Sequence, residues 1–196
     1  MGRRSDHSRP ELREMIIAEG HRQMSEVGFA RFSAREVAKR IGYSIGTIYN
    51  VFGSYDQLIL AINGRTLDYW LAYLKARLEG TITDRLRTAI DAYFKFAISN
   101  RHAWAALYDF RLPENELMPE YYQRKVADIT EIVVREIADA LPPQHGAKAP
   151  ALARSLLATV HGHCFFTLNG TFRLLGEADP LEAALNRVND ALARYR

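Results

Sequence analysis

A chain of 196 residues has room for one or two small domains with a buried core, and its 48% apolar content excludes a disordered polymer. The single cysteine, Cys164, excludes an internal disulfide framework and fits a reducing cytoplasm. The net charge of +3 sits in residues 1–50, which hold nine Lys/Arg and six Asp/Glu, while residues 51–196 are neutral; a basic segment on an uncharged body fits a nucleic-acid-binding domain on a larger support.

Met1 to Pro10 is polar and basic and lacks the apolar stretch of a secretory signal. Met1 to Ser8 reads as a disordered arm carrying Arg3, Arg4 and His7. A first helix is expected from Arg9 to Val27, with Ile16, Ile17, Gly20, Met24 and Val27 inward. Glycine inside a helix costs about 1 kcal/mol relative to alanine, so Gly20 points to the close approach of another helix. Ser33 to Phe52 holds two short helical patterns separated by Gly42. Ser33 and Glu36 have capping-box spacing, Gly42 can end the first pattern in a left-handed conformation, and Ser44 can cap the second. Val37, Ala38 and Ile41 share one face of the first pattern, and Ile48 and Phe52 share one face of the second. Helices this short need each other and a third helix. That is a helix-turn-helix, whose second helix enters the major groove of DNA.

Ser54 and Gln57 open a long helix that runs to about Leu78, with Leu58, Ile62, Leu67, Leu71 and Leu74 on its apolar face. Further helices are expected over 83–100, 101–110 and 119–141. A break rich in proline covers 142–150. A helix over 151–175 follows, and a last one starts at Asp179 with Pro180 in its first position. The chain shows no alternating strand pattern and no internal repeat, so the expected fold is all-α with about nine helices. The charge-free run from Ser155 to Phe172 has the length to raise the question of a membrane span. Its two histidines, Asn169, two glycines, Ser155 and three threonines favour a buried interface helix instead.

On the second short helix, Ser44, Ile45, Gly46, Thr47, Tyr49 and Asn50 are the candidate DNA-facing residues. Asn50 can pair with N6 and N7 of adenine, and Ile45 and Thr47 can touch a thymine methyl. Gly46 lets the backbone come close, and Arg35 can reach a base or a phosphate. Tyr49 has a second reading as a packing residue, and Asn50 as a solvated surface residue. His161, His163 and Cys164 raise a metal site. The i, i+2 spacing sets the two histidines about 200° apart on a helix, and no nearby carboxylate completes a ligand set. Packing or dimer contacts are the better reading, and no metal or cofactor is expected. No phosphate-binding glycine loop and no nucleophile constellation is present, so no enzyme is expected.

From about Arg9 to Tyr69 the chain resembles the TetR family of bacterial transcriptional regulators. The resemblance is carried by Gly28-Phe29, Phe32-Ser33-Ala34-Arg35-Glu36-Val37-Ala38, Gly42, Gly46-Thr47-Ile48-Tyr49, Phe52 and Ser54-Tyr55-Asp56-Gln57-Leu58. It implies a DNA-binding domain over 9–69, with the helix-turn-helix at 33–52, and a ligand-binding and dimerisation domain over 70–196. It also implies that Tyr49 donates to a phosphate. Tyr55 stands where the family usually carries a phosphate-contacting lysine; its hydroxyl can donate one hydrogen bond but brings no charge. His161-Gly162 and the residues after it resemble part of the Trp-His-Gly signature of one TetR C-terminal class, with Val160 in place of the tryptophan.

In such regulators a cavity among the middle helices takes a ligand, for which Tyr93, Phe96, Trp104 and Tyr108 are the candidates here. Trp and Tyr need partners for their polar tips when buried, so an apolar or aromatic effector fits. The last two long helices are expected to pair in a homodimer through Leu157, Val160, His161, Phe165, Leu168 and Val188. The implied protein is a cytoplasmic, ligand-responsive homodimeric repressor that binds a pseudo-palindromic operator in double-stranded DNA, with no membrane partner. The rival is a DNA-binding activator or architectural protein without a small ligand.

Overall fold

The computed structural model describes residues 7–195. Arg3 and Arg4 of the expected arm lie outside the described residues. Among the described residues the chain is all-α, with no strand. The α-helices are α1 (Arg9–Val27), α2 (Ala34–Arg40), α3 (Ile45–Phe52), α4 (Tyr55–Leu78), α5 (Arg85–Ser99), α6 (Arg101–Asp109), α7 (Glu120–Ala140), α8 (Ala149–Leu168), α9 (Thr171–Leu175) and α10 (Pro180–Ala193). Short 3-10 helices cover Phe29–Arg31 and Pro143–Lys148. The helix expected over 151–175 is split: α8 ends at Leu168, and Gly170, at φ +79°, turns the chain into α9.

The chain divides into two compact units. The first takes the described residues of Met1–Tyr69 together with Asn100–Tyr122. Its core is built on Ile16 and Met24 of α1, Val37 of α2, Ile48 of α3, and Leu58, Ile59 and Ile62 of α4, all fully buried. This shared core supplies what α2 and α3 cannot supply alone. A Cβ at Gly20 would lie 2.5 Å from Cδ1 of Ile62, so the missing side chain is what lets α4 press against α1. The first unit also includes α6, which the resemblance places in the domain over 70–196. The small buried residues Ala103 and Ala106 allow that docking. The His102 ring donates from Nδ1 to the carbonyl of Ser25 at 3.0 Å, and Nδ2 of buried Asn63 donates to the carbonyl of Ala106 at 3.0 Å. The second of these bonds satisfies the buried amide N–H of Asn63, which would otherwise be costly to bury.

The second unit comprises Trp70–Ser99 and Gln123–Arg196 within the described residues. Helix α8 packs on α10 through buried Leu156, Val160 and Cys164 on one side and Leu185, Val188 and Leu192 on the other. Trp70 stacks edge-on against Tyr93 and lies 5.3 Å from the Phe96 ring. Burial pushes the Cys164 thiol up to about 12, so it is a core side chain in this unit rather than a reactive thiolate. No described helix is long and apolar enough to cross a membrane.

Candidate functional site

The helix-turn-helix is set by local hydrogen bonds. The Ser33 hydroxyl accepts from the N–H of Glu36 at 3.3 Å, which opens α2. The other half of the expected capping box is made by a different residue. Oε1 of Gln23 accepts from the Ser33 N–H at 2.9 Å, while Glu36 accepts from Arg40. Gln23 is buried on α1 and its amide needs a partner, whereas Glu36 can keep its charge near solvent. Gly42, at φ +77°, ends α2, and the Tyr43 N–H returns to the Ala38 carbonyl at 2.9 Å. The Ser44 hydroxyl accepts from the Thr47 N–H at 3.2 Å and lies 3.0 Å from the Thr47 hydroxyl, so this pair caps α3.

Helix α3 is sharply two-sided. Ile48 is fully buried, and Ile45, Val51 and Phe52 pack partly buried against the same core. Gly46, Tyr49, Asn50 and Gly53 are exposed. They recur at steps of three, one and three, which makes one continuous stripe on the outside of the helix. The Asn50 side chain makes no hydrogen bond to another described residue. Ile45, expected to touch a thymine methyl, spends part of its surface on the core instead. Tyr55 is half-buried, with its ring 6.3 Å from that of Phe32. Burial first, and then the neighbouring Tyr49 and Asp56, raise its hydroxyl pKa above the ordinary value, so it remains a neutral donor.

Charge in the first unit is sorted by ion pairing. Arg40 is bound to Glu19, Glu26 and Glu36, and Arg22 to Glu19 and Glu26. Arg65 is held by Glu14. Arg35 and Lys39, four apart on exposed α2, form no ion pair among the described residues, and four-apart residues share a helix face. Two cations of α1 missed by the sequence reading also border α3. Arg9 donates to the carbonyl of Asn50 at 3.4 Å, and the Arg13 guanidinium lies over the Phe52 ring at 5.3 Å. His7 and Tyr43 meet at 3.0 Å. An exposed helix with a polar stripe, bordered by the Arg9 and Arg13 guanidinium groups, suits a polyanion that also carries hydrogen-bonding edges.

The four aromatic residues expected to form a pocket are shared between the two units. Trp104 and Tyr108 belong to the first unit, with their rings 5.8 Å apart, and Tyr93 and Phe96 belong to the second. A cavity of about 60 Å³ lies in the second unit among Trp70, Leu74, Ile90, Tyr93, Ile132 and Val160. Of the four candidates only Tyr93 lines it. The tyrosine hydroxyl is 2.8 Å from Nδ1 of His161, whose pKa is lowered by burial.

The expected dimer residues are likewise divided. Val160 and Val188 are buried inside the unit, and Leu157 lines the cavity. Val160 and Val188 have little surface left for a second copy, because the packing of α8 on α10 within one chain already uses it; Leu157 is only partly buried. Leu168 is partly buried. Phe165 is 50% exposed and Phe166 39%, and Leu174 and Leu175 of α9 are more open still. The two histidines and Cys164 do not converge: His163 bonds the Thr159 carbonyl, His161 meets Tyr93, and Cys164 is in the core.

The fold and the capped α2–α3 pair with its exposed polar stripe define a helix-turn-helix DNA-binding protein. Residues 16–62 match the family described as "Bacterial regulatory proteins, tetR family", and residues 86–192 match "Tetracyclin repressor-like, C-terminal domain". The chain belongs to the TetR family of transcriptional regulators. No curated protein sequence matches it. Among solved structures it is similar to a protein of unknown function from Rhodococcus sp. RHA1, at 19% identity and TM-score 0.73, covering 100% of this chain and 99% of that one. A TetR-family transcriptional regulator from Streptomyces coelicolor shares 19% identity at TM-score 0.64, over 97% of this chain and 80% of that one. The multidrug binding protein EbrR, solved with imidazole, shares 20% identity at TM-score 0.62, over 93% and 96% of the two chains. These likenesses are of fold. Family membership makes the protein a DNA-binding transcriptional regulator and not an enzyme.

Proposed function

We propose that this regulator is a cytoplasmic homodimeric repressor that reads a pseudo-palindromic operator with Tyr49 and Asn50 and leaves it when a small apolar or aromatic molecule enters the second unit. The observation that carries the DNA-reading assignment is the exposed Gly46-Tyr49-Asn50 stripe on a helix whose opposite side is locked into the core. Asn50 reads a base edge. Tyr49 and Tyr55 donate to phosphates, and Arg35 and Lys39 supply charge. The second copy docks on the exposed apolar surface of Phe165, Phe166, Leu174 and Leu175, because such surface rarely remains open to water.

The effector reading rests on the cavity beside Trp70 and Tyr93. At about 60 Å³ it is smaller than the roughly 300–1,000 Å³ typical of ligand pockets, so an effector has to widen it. A ligand that binds the widened form better than the closed one shifts the population between them, and the same difference in affinity is what releases DNA. The test uses a Trp104→Phe variant, which leaves Trp70 as the sole tryptophan. Effectors should quench Trp70 fluorescence and weaken DNA binding, and DNA should weaken effector binding by the same factor. Quenching ligands that leave DNA affinity unchanged would favour the ligand-independent regulator.

A further inference from the structure

We infer that the effector is an amphiphilic cation, with its apolar body in the cavity of the second unit and its charged end at Glu136; this rests on the effector reading above. The lining of the apolar cavity includes one ionisable carboxylate, Glu136, which is only 3% exposed. The same side chain lines a second recess of about 370 Å³, together with Asp84, Arg85, Asp139 and Asn189. Leu86 and Glu136 border both spaces, so the carboxylate stands where the two adjoin. The recess is large enough for a polar end group, whereas the apolar cavity accepts only the body that widens it.

Charge selects the end group. Asp84, Glu136 and Asp139 face a single Arg85 in the lining, which leaves the recess with two negative charges in excess. An anionic end would be repelled there, and a cationic end would be attracted. Glu136 can be buried because Arg85 pairs with both of its oxygens, Nε with Oε2 at 2.8 Å and Nη2 with Oε1 at 2.7 Å. Each carboxylate oxygen keeps further acceptor capacity, so a cation in the recess can share it.

The pair has a second duty. Nη1 of Arg85 donates to the carbonyls of Leu78 at 2.9 Å and Thr81 at 2.8 Å. One guanidinium thereby ties the end of α4 and the turn after it to the start of α5 and to α7. Helix α4 is continuous from Tyr55, at the DNA-binding end, to Leu78. A cation that shares Glu136 weakens the hold of Arg85 on it and loosens the clamp on this helix, so the group that recognises the effector also holds the element that has to respond.

Three probes with one carbon skeleton test the inference on the full chain carrying Trp104→Phe: 4-phenylbutylammonium, 4-phenylbutanol and 4-phenylbutanoate, followed by Trp70 fluorescence. The ammonium should bind about tenfold or more tighter than the alcohol, and the carboxylate weakest. Glu136→Gln should bring the ratio of ammonium to alcohol affinity, both measured in that variant, close to one. Asp139→Asn, at an exposed position that spares the fold, should reduce the preference in the same direction. Equal binding of the alcohol and the ammonium, tightest binding of the carboxylate, or an unchanged preference in both variants overturns the cationic assignment while leaving the cavity reading intact. Binding by none of the three overturns both.

Discussion

Phe165→Glu is expected to convert the regulator into a folded monomer and to lower operator affinity by about 10²–10⁴-fold. Half of the Phe165 side chain is open to water in a single chain, so a glutamate there costs the monomer little. In a two-fold dimer the same position occurs twice, and each carboxylate would be moved from water against apolar Phe166, Leu174 or Leu175. A dimer presents two linked reading helices, and losing that linkage forfeits the avidity, which carries the expected factor. Sedimentation equilibrium and a gel-shift titration on one preparation measure both effects. A variant that remains dimeric would move the interface elsewhere, and a monomer with normal affinity for a full palindrome would remove the need for a dimer.

Asn50→Ala is expected to cost about 1–3 kcal/mol of operator affinity and to relax base preference at one position of each half-site. Asn50 is exposed on the outer stripe of α3, and Arg9 meets its backbone carbonyl, not its side chain. Truncating the side chain therefore removes a contact with DNA and leaves the fold alone. Tyr49→Phe should instead weaken all sequences about equally, because a phosphate contact carries no base identity. Affinities measured against a panel of single-base operator variants separate the two outcomes. Unaltered affinity and preference in Asn50→Ala would make Asn50 a solvated surface residue.

What could be read in the sequence follows the range of the forces involved. Ser33, Gly42 and Ser44 act within a few residues of themselves, so the limits of α2 and α3 were legible, as was the exposed stripe of α3. Gln23 taking the place of Glu36 at the Ser33 N–H was not legible, because it depends on α1 and α2 meeting across ten residues of chain. The same holds for Arg9 at the Asn50 carbonyl, 41 residues away. The docking of α6 in the first unit rests on Ala103, Ala106 and His102, and small residues spaced along a helix do not announce which neighbour they admit. Aromatic residues point to a cavity in the sequence, yet much of the lining is aliphatic, including Leu74, Ile90, Ile132 and Val160. Such residues look like ordinary core until the helices are in place. Val160 and Val188 show the converse: an apolar face on α8 and α10 signals burial, but not whether the burial lies within one chain or between two.

The most direct test of the central claim is selection of bound duplexes from a pool of random DNA by the full-length protein at moderate salt. An inverted repeat whose half-sites share one adenine-containing step should be enriched. Binding should fall steeply as salt rises, because Lys and Arg displace counterions from the phosphates. The enriched step should lose its preference when the selection is repeated with Asn50→Ala. Recovery of unenriched DNA, or of a motif that Asn50→Ala leaves unchanged, would contradict the assignment of α3 as the helix that reads the operator.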